Sequence, residues 1–411
     1  MNASDHDAPV RLAPRVFDSS LLRRGADAVL ALPAWAQALA VFVVSRTVSL
    51  AIFAAVLRKQ PVAPWTSDGT TTTLGDFLMF WDAAWYAQIA HDGYPAVLPL
   101  TDAGTVGENP WAFYPLYPWL VRDLGWVLRL DYHTLAPWFS FVCTAGAAIL
   151  VLVLFRRRTT PGRALMGLAV VLFFPASAIL STGYAESLTL LLQALALLLV
   201  LDRRYLWAIP VVFLMDLSRP IGVAFSFFML IHLIDRFLRR KVDPYPAREV
   251  VTSWTLGVLS CVAALVHPAL AALRTGSITA YTDTEAAWSG GHSRILVQWF
   301  ARGNDLVGGW GPVLLFAAVA GMLALVYSPA GGRMGRTLQH FCLAYGIYIL
   351  LFFNPQTSTL RLLLPLFPVA LTLAYSRSWA YRGFVLAAFT MFQIVWVGYL
   401  WHFTPPSDFP P

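Results

Sequence analysis

The chain has 411 residues, 58% of them hydrophobic and only 12% charged, with a net charge of +7 and a mean hydropathy of +0.62. A soluble domain of this length carries far more surface charge, and a transmembrane barrel shows short alternating segments rather than apolar runs near 20 residues, so both are excluded. Nucleic-acid binding is rejected too, because the basic residues fall in short loops between apolar runs.

In chain order, Met1 to Pro33 is polar and carries Arg11, Arg15, Arg23 and Arg24. It lacks the apolar core of a signal peptide and reads as a cytoplasmic tail over residues 1–34. A first span covers Trp35–Leu57, and a long loop follows over 58–133. Spans are expected at Leu135–Phe155 and Ala164–Thr182, with a fourth ending at "DRRY". Leu206–Ile234 is too long for one span and is interrupted by "SRP", which predicts two short helices meeting at the outer face. Val250–Leu273, a second large loop over 274–305, Leu306–Tyr327, Thr337–Phe353, Arg361–Tyr375 and Phe384–His402 complete the set, with an outer tail over 404–411. That makes about eleven spans in one transmembrane domain, 35–403, of an all-α polytopic protein.

Charge sets the orientation. Every inner loop is basic, with Arg156, Arg157, Arg158, Arg163, Arg203, Arg204, Arg236, Arg239, Arg240, Lys241, Arg248, Arg333, Arg336, Arg377 and Arg382 on one side. The N-terminus is therefore expected in the cytoplasm, and the 58–133 and 274–305 loops face outward. Nucleotide sugars are absent there, so chemistry on that side uses a lipid-borne or exported donor. Cys143, Cys261 and Cys342 lie in apolar runs and suggest neither a disulfide framework nor a metal site.

The first outer loop opens with "FWDAAWYAQIAHDGY", Phe80 to Tyr94. On a helix Asp82 shares a face with Leu78, Trp85, Tyr86 and Ile89, and Gly93 is the expected cap. Such a helix lies at the interface. A partly desolvated carboxylate there suits a general base, while a solvated or capping residue is equally compatible with the pattern. "ENPWAFYPLYPWLVR" follows, with three prolines among Trp111, Phe113, Tyr114, Tyr117 and Trp119. Its aromatics suit either the headgroup zone or a sugar face, and Glu108 is a second outward acid.

Arg219 and Arg361 sit where spans meet outer turns, placed for phosphate contact or for snorkelling. Glu186 opens a helix after an outer turn and is either a pocket residue or a carboxylate favoured by the helix dipole. His267 and His292 are candidates for phosphate or sugar contact, or structural. Arg46 lies mid-span and needs a partner, for which Asp216 is available. Asp283 and Glu285 in "TDTE" read as a solvated loop, and no metal is expected. There is no glycine-rich phosphate loop, nucleotide fingerprint or zinc spacing.

"FWDAAWYAQIAHDGY" with "AFYPLYPWLVR" resembles the PIG-V family, the second mannosyltransferase of glycosylphosphatidylinositol assembly, with its bacterial relatives. "FPASAILSTGYAESL" (Phe174–Leu188), "LSRPIGV" (Leu217–Val223) and "RLLLPLFP" (Arg361–Pro368) follow in the same order, except that Ile221 replaces a usual polar residue. The resemblance implies a GT-C-type glycosyltransferase fold in a bacterial plasma membrane, with interfacial helices in the first loop. It also implies inverting transfer of mannose from polyprenyl-phosphate mannose, a co-substrate rather than a cofactor, to a membrane glycolipid acceptor of the phosphatidylinositol-mannoside or lipoglycan kind. Asp82 matches the catalytic acid. Arg361, Arg219, His267 and His292 are then candidates for the donor phosphate, and Glu108, Trp85, Tyr86, Tyr114, Tyr117 and Glu186 for sugar or acceptor. The competing readings are a flippase of lipid-linked sugars, a GT-C enzyme using another polyprenyl-phosphate sugar, and a non-catalytic assembly subunit.

Overall fold

A computed structural model of the chain describes residues 25, 28–61, 72–289, 291, 296–404 and 410–411. Among them there are helices and turns but no strand. The elements are α1 (Ala34–Leu57), α2 (Asp82–Asp92), α3 (Leu116–Leu128), α4 (Tyr132–Arg156), α5 (Pro161–Leu172), α6 (Glu186–Leu201), α7 (Tyr205–Asp216), α8 (Gly222–Leu238), α9 (Ala247–Thr275), α10 (Ala280–Trp288), α11 (Val297–Val307), α12 (Gly311–Tyr327), α13 (Arg336–Phe352) and α14 (Trp379–Trp396). A 3₁₀ segment, Thr357–Val369, shaped by Pro365 and Pro368, lies between α13 and α14.

Five helical stretches are long and apolar enough to cross a bilayer: α1, α4, α9, Val297–Tyr327 and Trp379–Trp401. The count is six if α5 and the 3₁₀ turn Pro175–Ser181 form one bent span. The expected eleven spans are therefore not matched by helices of spanning length among the described residues. α6, α7, α8 and α13 have 16, 12, 17 and 17 residues. At 1.5 Å per residue they reach about 18–26 Å, short of a hydrocarbon core of about 30 Å. Residues 297–305, expected in the second outer loop, are helical.

The 78° bend after α5 has a local cause. Pro175 forces Phe174 into an extended conformation (ψ 141°) and frees carbonyls of the preceding turn. Arg46 from α1 takes one of them, Leu172 O, and reaches into the 3₁₀ turn beyond. It donates to Ser177 O (2.6 Å), Leu172 O (2.7 Å) and Ser181 Oγ (3.1 Å). The expected Arg46–Asp216 pair is therefore corrected: the mid-span guanidinium seals a broken helix instead.

Contacts join segments expected on the same side. At one end Arg157 meets Asp202 (3.1 Å), Arg203 meets Asp243 (2.6 Å) and Arg236 meets Glu249 (2.9 Å). At the other end Leu116 N donates to Leu217 O (2.9 Å), Asn109 Nδ2 to Thr284 Oγ1 (2.9 Å) and Gly183 N to Leu78 O (3.1 Å). The second end gathers the candidate site.

Candidate active site

α2 begins at Asp82 itself, so Leu78 lies in the turn before it and not on its face, a correction to the expected register. The helix ends at Gly93, whose φ of 74° suits glycine. Its entry is strained. Trp81 has φ 61° and ψ −123°, a conformation that costs a non-glycine residue about 1–3 kcal/mol. The turn is pinned on both sides. The Trp81 indole donates to Trp401 O (3.0 Å), and the Trp401 indole to Phe77 O (2.7 Å). The Tyr184 hydroxyl accepts from Asp82 N (2.9 Å) and donates to Phe80 O (3.2 Å). The backbone is thus bent to aim one carboxylate.

That carboxylate meets Arg361. Arg361 Nη2 lies 2.5 Å from Asp82 Oδ2, and its Nε lies 3.7 Å from Glu186 Oε1. Glu186 also pairs with Arg219. The guanidinium of Arg361 stands over the Tyr184 ring at 5.4 Å. Asp82, Arg361, Glu186 and Arg219 form an alternating row of charge contributed by α2, the 3₁₀ segment, the start of α6 and the α7–α8 turn. Asp82, Glu186 and Arg361 are buried. Burial pushes the Asp82 carboxyl above the usual carboxylate range; Arg361 opposes this and Glu186 adds to it.

The row is not saturated. Among the described residues, Arg361 Nε and Nη1 and Glu186 Oε2 are buried with no hydrogen-bond partner. A narrow cavity of about 30 Å³ is walled by Glu186, Arg219 and Arg361 with Tyr345 and Tyr348. Buried polar atoms without partners are expensive and mark places where another group is received.

Other candidates are distributed around this row. Tyr86 is buried against Tyr184, Tyr117 and Phe113, and all four charged residues act on its hydroxyl. Trp85 stacks on Phe113 and meets Trp288 edge-on. The Tyr117 hydroxyl is used internally, donating to Ala136 O (2.9 Å). The Tyr114 hydroxyl donates to that of Tyr281 (3.2 Å).

His267 stands apart from the row. It is buried among Tyr94, Trp111, Tyr114 and Tyr281, with Nε2 donating to Trp111 O (2.9 Å), which is the environment of a packing residue. Glu108 is exposed. His292 lies outside the described residues. Glu285, read from sequence as a solvated loop residue, sits instead on α10, where the Tyr281 hydroxyl bonds it and burial raises its carboxyl to about 7. Tyr184 and Trp401 were not singled out by sequence. The signal for Tyr184 was its place two residues before Glu186; Trp401 had none.

No family model matches the sequence, and no curated protein matches it. The PIG-V resemblance therefore rests on the five quoted stretches alone. Among solved structures, the chain is similar to the oligosaccharyltransferase of Archaeoglobus fulgidus in complex with zinc and sulfate. The identity is 13% and the TM-score 0.48, over 90% of this chain and 54% of that one. The same enzyme tethered to an acceptor peptide gives 12% and 0.46 over 88% and 55%. Oligosaccharyltransferase AglB, in complex with an inhibitory peptide and a dolichol-phosphate, gives 14% and 0.37 over 89% and 49%. This chain spans about half the length of those proteins. At that level of overlap no chemistry follows from the likeness.

Proposed function

We propose that this protein is a membrane-embedded inverting glycosyltransferase. It moves a sugar, mannose by the PIG-V resemblance, from a polyprenyl-phosphate donor to a hydroxyl of a glycolipid acceptor. The observation that carries this reading is the unsatisfied row: a carboxylate aimed by a strained turn beside the Arg361 guanidinium, two of whose buried nitrogens have no hydrogen-bond partner among the described residues, with Arg219 next in line.

In the step proposed, Asp82 takes the proton of the acceptor hydroxyl as its oxygen bonds to the anomeric carbon. The bond from that carbon to the phosphate oxygen breaks, and the electron pair leaves with the polyprenyl phosphate. Arg219 and the free nitrogens of Arg361 are positioned to hold the developing charge. Arg361 has a second effect, lowering the proton affinity of Asp82 against the larger pull of burial and the smaller one of Glu186. The site faces outward in this reading. A cysteine at Asp102 is then labelled by an impermeant reagent in intact cells, and one at Thr160 is not.

A flippase would use broken helices as its transport site. Here Leu172 O at the α5 break and Ser177 O in the turn after it are already occupied by Arg46, which favours the enzyme. The test is transfer by the purified protein in nanodiscs. Label should pass from polyprenyl-phosphate mannose to extracted membrane glycolipid and not from GDP-mannose. Direct use of GDP-mannose, or no transfer by a folded protein, contradicts the proposal.

A further inference from the structure

Beyond the narrow cavity, and sharing Pro220, Tyr348 and Phe353 with it as walls, lies a larger one of about 420 Å³. Asp216, the last residue of α7, is part of its wall. Asp216 is 2% exposed, and both its carboxylate oxygens are buried without a hydrogen-bond partner among the described residues. Its neighbour Gly222 leaves the carboxylate its room, since a Cβ there would come 2.6 Å from Oδ2. A buried carboxylate with no partner is a large standing cost that packing does not offset. Such a group is retained where a ligand supplies the missing donors.

The rest of the wall narrows the ligand's chemistry. Glu285 faces the same space from α10, with Tyr281 beside it. Tyr114 and Tyr348 add phenol groups, and Trp288 adds an aromatic surface. No arginine, lysine or histidine lines the cavity among the described residues, so an anion has no counter-charge there. Among the described residues no group of three or more histidine, cysteine, aspartate or glutamate side chains is placed to hold a metal ion, so the two carboxyls do not belong to a divalent-cation site. Two carboxyl groups, phenols and a tryptophan match a neutral polyhydroxylated ring, whose hydroxyls donate and whose C–H face packs on aromatic carbon.

We propose that this cavity seats a neutral sugar ring, with Asp216 and Glu285 accepting hydrogen bonds from its hydroxyls and Trp288 against its face. The proposal deepens the glycosyltransfer reading, which supplies the ring as part of either the donor or the acceptor.

The test uses the full chain in lipid nanodiscs and methyl α-mannopyranoside as probe, followed by saturation-transfer NMR. The wild type should saturate the ring protons. Asp216→Asn and Glu285→Gln should each bind about tenfold more weakly, the size of a lost hydrogen bond to a charged group. Asp216→Asn keeps the shape and breaks no hydrogen bond among the described residues, so its melting temperature should hold while binding falls; a purely structural Asp216 would lose stability instead. If Asp216→Asn fails to express, Glu285→Gln and Tyr281→Phe carry the test. No saturation of the probe by wild type, or equal affinity in wild type and variants, overturns the proposal. In the transfer assay, a raised KM for the polyprenyl-phosphate sugar assigns the ring to the donor and a raised KM for the glycolipid assigns it to the acceptor. Unchanged KM for both overturns the proposal even where transfer itself occurs. Probe binding that depends on Asp216 in a protein without transferase activity upholds this proposal and overturns the function.

Discussion

Two ionic clusters, one at each end of the helices, use the same residue types in opposite ways. At the basic end Arg236 has every nitrogen engaged. Nε donates to Glu249 Oε1 (2.9 Å), Nη1 to Asp243 Oδ2 (2.5 Å), and Nη2 to Pro244 O (2.9 Å) and Glu249 Oε2 (3.1 Å). At the other end Arg361 has one close partner, Asp82, and two buried nitrogens left over. Both side chains are about equally buried, at 7% and 10% exposed, so burial does not separate them. The completeness of hydrogen bonding does. A saturated guanidinium holds loops together, and an unsaturated one waits for a ligand.

The contrast can be broken by substitution. The largest effect on stability belongs to the saturated cluster. Arg236→Ala leaves the half-buried Glu249 with only its longer ionic contact to Arg203 (3.5 Å) among the described residues and should lower stability by about 3 kcal/mol, seen as a lower melting temperature, while the turnover of the folded fraction is unchanged. A matching loss of turnover in folded protein would erase the distinction.

Next comes Arg361→Gln. It should lower turnover by about 10²-fold and weaken donor binding as well. Because Arg361 holds the proton affinity of Asp82 down, its removal should also shift the acid limb of the pH–rate profile to higher pH. An unmoved limb would separate Arg361 from the base.

The smallest effect sharpens the role of the second cavity. Glu285 has its carboxyl raised to about 7 from an ordinary 4.5, so folding favours its protonated form. The stability this adds is full below about pH 4.5 and is lost as pH rises through about 7. The wild-type melting temperature should therefore fall by a few degrees over that window relative to Glu285→Gln, and the two should share one slope below it. Parallel curves throughout would contradict the shift.

Much of the charged row was legible in the sequence, for a physical reason. Charge alternation assigned Asp82, Glu186, Arg219 and Arg361 to the same side, and each lies where an apolar run meets a turn, so their meeting needed only the helices to pack. What was not legible is pairing. The sequence offered Asp216 as partner for Arg46, but Pro175 created closer acceptors by freeing backbone carbonyls, and no side-chain pattern announces that. The strain at Trp81 was hidden as well, because it depends on Tyr184 and Trp401, which reach the turn from remote segments. Glu285 was misread because "TDTE" is polar enough for a loop, yet the run from Ala280 to Trp288 carries apolar residues on the face that packs beneath Trp111 and Tyr94. The break at "SRP" was legible, since α7 and α8 are the two short helices expected there; helix lengths elsewhere were not, because an apolar run such as that of α6 does not show where its helix begins.

The central claim is that the strained turn exists to aim a base. Asp82→Asn keeps the shape and the backbone contact to Tyr184 and removes the basic oxygen. Single-turnover transfer from polyprenyl-phosphate mannose, measured beside donor binding on the same preparation, tests this most directly. The rate should fall by about 10²-fold or more with donor affinity little changed. A near-normal rate in well-expressed Asp82→Asn protein would contradict it.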